Sequence, residues 1–230
     1  MMIWFPGLVD MVLRFARQPP PTTDLEIEDL ADLAPAANRV RRRKVSEIRS
    51  ITLHQNGFAW ADDNPLTPRI RAHFQIKRSG KVAEINPPEF RLRSSSNGAN
   101  AHTIAIEIAG NLQGEPGCDD EPPVDCVEVD VGGWFKPERF GRHTLLDAQV
   151  IATRRLIVRL VRQFPQIDRI HAHRQFAADR PLCPGWEIWR RVGMWAQDEL
   201  GLSDGGADFA DGGTPIPASW KIRENPGRPT

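Results

Sequence analysis

Apolar and polar residues alternate without a break along residues 103–109, which read Thr-Ile-Ala-Ile-Glu-Ile-Ala. Side chains of a β-strand point alternately to its two faces, so the three isoleucines share one face of the predicted strand. Glu107 lies on the opposite face, among small residues. A carboxylate in that position of a central strand is unusual, and the pattern therefore marks Glu107 as a candidate functional residue.

Other strands follow from local composition. β-branched residues along 48–54 predict a strand that ends at His54. Residues 72–76 and 81–85 flank a Ser-Gly pair, which is typical of a hairpin turn. The sequence therefore predicts at least one antiparallel pair beside the two longer strands.

Two segments have the helical period. Apolar residues recur at helical spacing along 144–164, and Pro165 follows this segment. The same spacing along 188–200, followed by Gly201, predicts a second helix with a glycine stop. A short apolar run, 167–173, predicts a strand between the two helices.

Composition divides the chain into three parts. Residues 1–38 combine an apolar segment with a Pro-rich linker, whereas residues 39–202 hold nearly all of the predicted regular elements. Residues 203–230 are rich in Gly, Asp and Pro and predict an irregular C-terminal tail. Within the middle part, residues 110–140 have the composition of a long loop, and loops of that length tend to be functional or disordered.

The charge balance limits the classes of partner. The 230 residues include 30 Lys plus Arg and 30 Asp plus Glu, so the formal net charge is zero. A neutral chain gives no general electrostatic case for binding nucleic acid, and we interpret the basic run 39–44 as a solvated face.

No apolar run reaches the roughly 18 residues that a membrane span needs. The first residues lack a basic leader and a small-residue cleavage site, so no cleavable signal peptide is predicted.

The cysteines and two histidines suggest a metal site. Cys118 and Cys126 share the long loop. The sequence leaves open whether they form a disulfide or remain free thiols. Cys183 lies ten residues after His173, which ends a predicted strand, as His54 does. Two imidazoles and a thiolate can hold Zn²⁺ with one tetrahedral position left for water. Six histidines in a chain of this length often fall at strand ends by chance, so the spacing alone favours structural or surface histidines.

The residues around these positions carry a family resemblance. The segment from His173 to Gly185, HRQFAADRPLCPG, resembles the C-terminal metal segment of the type 2 N-acetylmuramoyl-L-alanine amidases. Peptidoglycan recognition proteins and amidase-type phage lysozymes share that segment. Four further segments resemble the family in the same order: ITLHQ, AHFQIKRSGKVAEI, NAHTIAIEIAGN and LDAQVIATRRLIVRLV. Together the five segments cover about residues 45–200.

The resemblance implies a fold and a zinc ion. The fold is expected to be α/β, with a mixed central β-sheet flanked by helices and the zinc in a cleft at one sheet edge. His54, His173 and Cys183 match the three ligands of a single Zn²⁺. Such an ion lowers the pKa of its water toward 7 and polarises a carbonyl group.

The resemblance also implies an activity. The expected reaction is hydrolysis of the amide between the lactyl group of N-acetylmuramic acid and L-alanine. Glu107 matches the acidic position of the family, and a carboxylate there can carry a proton to the leaving amine. The alternative for Glu107 is a structural carboxylate paired with an arginine. The expected partner is peptidoglycan or a muropeptide, with synthesis in the cytoplasm and action at the cell wall; the oligomeric state is not indicated.

The chain departs from the family pattern at two positions. Members that use a tyrosine carry it just before the hairpin histidine, where this chain has Ala72 and no tyrosine anywhere. A Lys or Thr stands two residues before the third ligand in the family, where this chain has Pro181, which offers no donor. Arg180 is adjacent and is predicted to supply the positive charge instead.

Three other histidines have weaker cases. His102 lies in the loop before the Glu107 strand. Two interpretations are open: it contacts the substrate in the cleft, or it is a solvent-exposed loop histidine. His73 resembles the hairpin histidine of the family, which is not a ligand, and is predicted to be structural. His171 shares a strand face with His173 and is the reserve ligand.

Two other functions remain open. The first is an inactive peptidoglycan-binding module of the recognition-protein type, and the second is a zinc amidase that acts on another amide. Relatives without activity commonly replace the third ligand. This chain retains Cys183, which favours the enzyme.

Overall fold

A six-stranded sheet forms the centre of the computed structural model, which describes residues 25–96, 98–112, 114 and 143–222. Its strands are β1 (Ile27–Asp29), β3 (Ser50–Gln55), β4 (Phe74–Ile76), β5 (Val82–Glu84), β7 (Thr103–Ile108) and β8 (Arg169–Ala172). They lie in the order β1-β5-β4-β7-β3-β8. Only β4 and β5 pair antiparallel, and the other neighbours are parallel. The predicted hairpin, both long strands and the mixed sheet are therefore confirmed.

A smaller antiparallel pair joins β2 (Arg39–Arg42) to β6 (Phe90–Leu92). Three of the four residues of β2 are exposed to solvent, as expected for the basic run. Two of its arginine side chains pack over the Phe90 ring, with Arg39 Cζ 5.2 Å and Arg42 Cζ 5.1 Å from its centroid. This pair lies outside the central sheet.

The helices follow the predicted periodicity. Helix α1 (Asp147–Gln163) ends at the residue before Phe164. Helix α2 (Trp186–Ile188) continues through a π-helical turn, Trp189–Gly193, into α3 (Met194–Leu200). Gly201 then adopts the left-handed conformation, φ 69°, that ends the segment. None of the helices in the described ranges is long and apolar enough to cross a membrane.

The helices cover one face of the sheet. Alternate residues of the strands supply the apolar side chains of that face: Ile51, Leu53, Phe74, Ile76, Ile104, Ile106, Ile108 and Ile170. They form one cluster with residues of α1 and of the 186–200 segment, including the fully buried Trp189. Burial of such side chains stabilises a fold by about 1.5–3 kcal/mol each, so this layer is the main source of stability.

The opposite face of the sheet is covered by loops and short turns. A second, small apolar cluster lies there, with the partly buried Phe58 and Trp60 packed against Ala72 and Ala105. The rings of Phe58 and Trp60 stack with centroids 4.0 Å apart. Small side chains on this face leave room for polar groups nearer the carboxyl ends of the strands.

The structure differs from the expected boundaries at both ends of the described chain. Residues 27–29, which composition places in the N-terminal linker, form β1 and pair with β5. In the expected tail, Ile216 and Trp220 are buried, and Ser203 bridges to Arg169 of β8. Short segments without apolar periodicity gave no sequence signal for these contacts. The segment 1–15, Cys118 and Cys126, and most of the predicted 110–140 loop lie outside the described residues.

Candidate functional site

Two histidines meet at the carboxyl ends of adjacent strands. His54 is the fifth residue of β3, and His173 follows directly after β8 in a short 3₁₀ turn. β3 and β8 are parallel neighbours, so their carboxyl ends lie at the same edge of the sheet. The two imidazole rings lie 4.2 Å apart between centroids.

Cys183 completes a three-residue group with the two histidines. The backbone N–H of Arg174 donates to the carbonyl of Cys183 over 3.0 Å. This hydrogen bond holds the end of the 174–183 loop next to His173. Within the described ranges, this is the only group of three or more His, Cys, Asp or Glu residues that could hold a metal ion. One ligand atom each from His54, His173 and Cys183 lies within 4.8 Å of the others. All three residues are buried.

The electrostatics of the group suit a soft-to-borderline cation. Burial and the neighbouring imidazole lower the pKa of His54 well below its usual value, and burial lowers the pKa of His173 to about 4. Both rings are therefore neutral, which is the form that binds metal. Burial raises the pKa of the Cys183 thiol, and a divalent cation reverses this preference by favouring the thiolate. Two neutral imidazoles and one thiol, held together away from water, fit Zn²⁺.

Glu107 lies one strand away from His54. The two residues are register partners on the parallel strands β7 and β3, so their side chains leave the same face of the sheet about 4.8 Å apart. The Oε2 atom of Glu107 is buried and has no hydrogen-bond partner, and no arginine pairs with it in the described part of the chain. Burial raises the pKa of this carboxyl to about 8. The ion-paired structural alternative for Glu107 is therefore not what the structure contains.

Gln75 lies on the other side of Glu107. It is the register partner of Glu107 on β4, and its Oε1 atom is also buried, without a hydrogen-bond partner in the described ranges. The side chains of Gln75, Glu107 and His54 thus form a row across three strands. The row leads from the middle of the sheet to the histidine pair.

A cleft of about 620 Å³ opens beside His173. Arg180, Asp179, Arg93 and Ser95 are among the residues that line it. Arg180 forms an ion pair with Asp179, and its charge also contributes to lowering the pKa of His173. The structure thus brings Arg180 to the border of the candidate metal site.

His102 lies at the other end of β7. It precedes the first residue of that strand, is exposed, and its Nδ1 lies 3.2 Å from the carbonyl oxygen of Glu47. Glu107 is the fifth residue of the same strand, and at about 3.3 Å per residue the two are more than 15 Å apart along it. The structure does not bring His102 to the cleft, because the loop that carries it leads into the amino end of the strand.

The remaining histidines lie outside the ligand group. His171 lies 3.3 Å from Gln175 Oε1 through its Nδ1 and stacks on Phe209, with centroids 5.0 Å apart. His73 accepts the N–H of Ala105 at Nδ1 over 2.9 Å. Both are held by neighbours of their own, and His73 has the structural position expected of it.

Sequence reasoning missed Ser95. Its Oγ lies 3.2 Å from His54 Nε2, and its carbonyl oxygen accepts from His173 Nε2 over 3.1 Å. The residue belongs to a run of three serines with no periodicity and no motif spacing. Nothing in the local sequence indicates its contacts, because both partners are far away along the chain.

The comparisons with known proteins agree with this geometry. A family model described as N-acetylmuramoyl-L-alanine amidase matches residues 27–186. The fold is similar to that of the N-acetylmuramoyl-L-alanine amidase LysC from Clostridium intestinale URNW, with a TM-score of 0.51 and 13% identity over 77% of this chain and 99% of LysC. It is also similar to the bumblebee recognition protein PGRP-SA, with a TM-score of 0.52 and 13% identity over 78% and 98% of the two chains. No curated protein sequence matches the chain significantly. Because the family model covers well over half of its residues, the chain belongs to the N-acetylmuramoyl-L-alanine amidase family.

Proposed function

We propose that this protein is a zinc-dependent N-acetylmuramoyl-L-alanine amidase. It hydrolyses the amide between N-acetylmuramic acid and L-alanine in peptidoglycan or in a muropeptide. The observation that carries the proposal is the group of three candidate ligand atoms within 4.8 Å of one another, with Glu107 one strand away, whose Oε2 atom is buried and unpaired within the described part of the chain. The family membership and the name of LysC support the bond assignment.

His54, His173 and Cys183 hold the ion in this proposal. When bound, Zn²⁺ supplies Lewis acidity, which polarises the amide carbonyl and lowers the pKa of a water molecule. Three protein ligands leave one tetrahedral position open, which is the pattern of catalytic rather than structural zinc.

Glu107 transfers the proton. Its carboxylate accepts a proton from the attacking water and then donates it to the amine nitrogen as the carbon–nitrogen bond breaks. A pKa raised by burial to about 8 suits both roles, because a group that titrates near the working pH accepts and donates with similar ease.

Arg180 stabilises the charge that develops on the carbonyl oxygen. Pro181 has no N–H, whereas the Arg180 guanidinium lines the cleft beside His173. The ion pair with Asp179 fixes the side chain and offsets part of its charge. We therefore assign to Arg180 a modest share of transition-state stabilisation.

Mass spectrometry of digested peptidoglycan tests the reaction. We expect new free L-alanine amino groups and no new reducing sugar ends. Binding of peptidoglycan without release of amines favours the inactive recognition module, and activity only on other amides favours the third hypothesis. New sugar ends contradict the amidase, since glycosidases need two carboxylates that flank the bond.

Metal analysis tests the zinc ligands separately. We expect about one zinc per chain in the wild type and most of it lost in Cys183→Ala, because two imidazoles alone hold the ion weakly. Zinc content that is unchanged in the variant contradicts the ligand assignment.

A further inference from the structure

One residue contacts both histidines of the ligand group. Ser95 reaches His54 Nε2 through its hydroxyl oxygen at 3.2 Å and His173 Nε2 through its backbone carbonyl at 3.1 Å. Ser95 is itself buried, with 7% of its surface exposed. Two separate oxygen atoms of a single residue, a hydroxyl and a backbone carbonyl, thus face the same ring nitrogen of the two histidines.

The contact with His173 selects the tautomer of that ring. A carbonyl oxygen only accepts, so the contact with His173 requires a proton on Nε2 of that ring. A neutral imidazole that carries its proton on Nε2 keeps its lone pair on Nδ1. Histidines that bind metal commonly donate their other ring N–H in this way, which fixes the ring orientation.

Hydrogen bonds from residues outside the ligand group hold the loop that carries Ser95. The buried Asn100 side chain accepts the backbone N–H groups of Ser94 and Ser95 through Oδ1, at 3.0 and 2.8 Å. The buried Arg43 donates in turn to the backbone carbonyl of Asn100 over 3.3 Å. Ser95 is therefore held by groups outside the ligand set, so it has the rigidity that an orienting residue needs.

We propose that Ser95 is a positioning residue that orients both histidine ligands and leaves their Nδ1 atoms to bind the metal. This inference rests on the proposed function, because it assigns to the histidines the role of zinc ligands. Loss of such an outer contact typically lowers metal affinity by 10- to 100-fold. The serine run supplies a matched control, since the hydroxyl of Ser94 lies 3.5 Å from Asn100 Oδ1 and, in the part of the chain that the structure describes, no hydrogen bond joins Ser94 to either histidine.

Zinc affinity, measured by competition with a chromophoric chelator on the full-length protein without substrate, tests the proposal. We expect Ser95→Ala to bind zinc at least about tenfold more weakly than the wild type. Ser94→Ala stays within about twofold, and Ser95→Thr, which retains the hydroxyl, recovers most of the affinity. Melting temperatures of the metal-free variants check that each one folds. If Ser95→Ala does not fold, the test rests on the wild type and on Ser95→Thr.

The ¹⁵N chemical shifts of the histidine rings give a second readout. In the zinc-loaded wild type, both ligands should be protonated at Nε2 and metal-bound at Nδ1. In Ser95→Ala, His173 should keep its Nε2 proton signal, because its acceptor is backbone, whereas His54 should lose protection from exchange.

The outcomes separate the two proposals. Zinc binding through Nε2 in the wild type, or equal affinities of Ser95→Ala and Ser94→Ala, overturns the role of Ser95 and leaves the amidase intact. A wild type that binds no zinc overturns both.

Discussion

The two faces of the central sheet are built from opposite kinds of residue, although both are buried. One face carries Ile51, Leu53 and Ile106, none of which has any exposed surface, beneath helix α1 and the 186–200 helical segment. The other carries Thr52 and His54, which are just as inaccessible. Apolar side chains need only contact, whereas every buried polar group needs a partner.

This difference separates stability from chemistry. On the polar face, Thr52 and Thr103 satisfy each other with their hydroxyls 2.7 Å apart. The Oε2 atom of Glu107 and the amide oxygen of Gln75 lack such a partner among the described residues. A buried unpaired polar group costs about 1–3 kcal/mol, so the helix-covered face offsets a local destabilisation on which the proposed reaction depends.

Neighbouring residues of β7 allow a direct test, because Ile106 and Glu107 point to opposite faces. Ile106→Ala should lower the free energy of unfolding by about 2–5 kcal/mol through the cavity it creates. Zinc affinity should stay close to the wild-type value. Urea unfolding and chelator titration measure the two quantities. A variant that loses zinc but not stability contradicts the separation.

Glu107→Gln should have the converse effect. Because the Oε2 atom makes no hydrogen bond to any residue that the structure describes, an amide of the same shape costs the fold little. Turnover should fall by roughly 10²-fold or more, since the proton acceptor is lost. The measurements are amine release from peptidoglycan, zinc content and melting temperature. A Gln variant that remains active means that another group transfers the proton.

Acid should weaken the polar face through His73. Its Nδ1 accepts a backbone N–H, so protonation breaks this bond, and burial lowers the pKa of His73 to about 3. The unfolded chain has a pKa of about 6.5 at this position and binds the proton first, so stability falls as the pH drops below about 6.5. The loss is about 1.4 kcal/mol per pH unit for one such group.

Comparison with His73→Asn isolates this contribution from those of the other buried histidines. The amide oxygen of the variant can accept the same N–H but does not titrate. Urea unfolding of both proteins at pH 7, 6 and 5 should show a shallower pH dependence in the variant. Parallel curves contradict the assignment.

The smallest expected effects on turnover distinguish the carboxyl ends of the strands, where the cleft lies, from their amino ends. Arg180→Ala should lower turnover by about tenfold with unchanged zinc content, less than the 10²–10³ typical of a dedicated oxyanion donor, because Asp179 offsets part of its charge. His102→Ala, at the opposite end of β7, should leave turnover unchanged. Steady-state assays of both variants measure the contrast. An impaired His102 variant contradicts the placement of the cleft.

The sequence predicts elements well where periodicity is strong. The alternation along residues 103–109 locates β7, and the apolar spacing before Pro165 locates α1 to within a few residues. β1 was missed, because three residues reading Ile-Glu-Asp show no pattern and are ordered only by pairing with β5. Ser95 was missed for the same reason, since its contacts join distant parts of the chain.

The sequence by itself determined which residues share a strand face and, through the family resemblance, which three side chains form the candidate metal site. Those properties depend on local period and residue type, which are present before the chain folds. The tertiary structure decided which strands are neighbours. With β3 between β7 and β8, Glu107, His54 and His173 lie side by side, and His102 is left at the far edge. Strand order follows from burying all the apolar faces under the helices at once, which no local pattern contains.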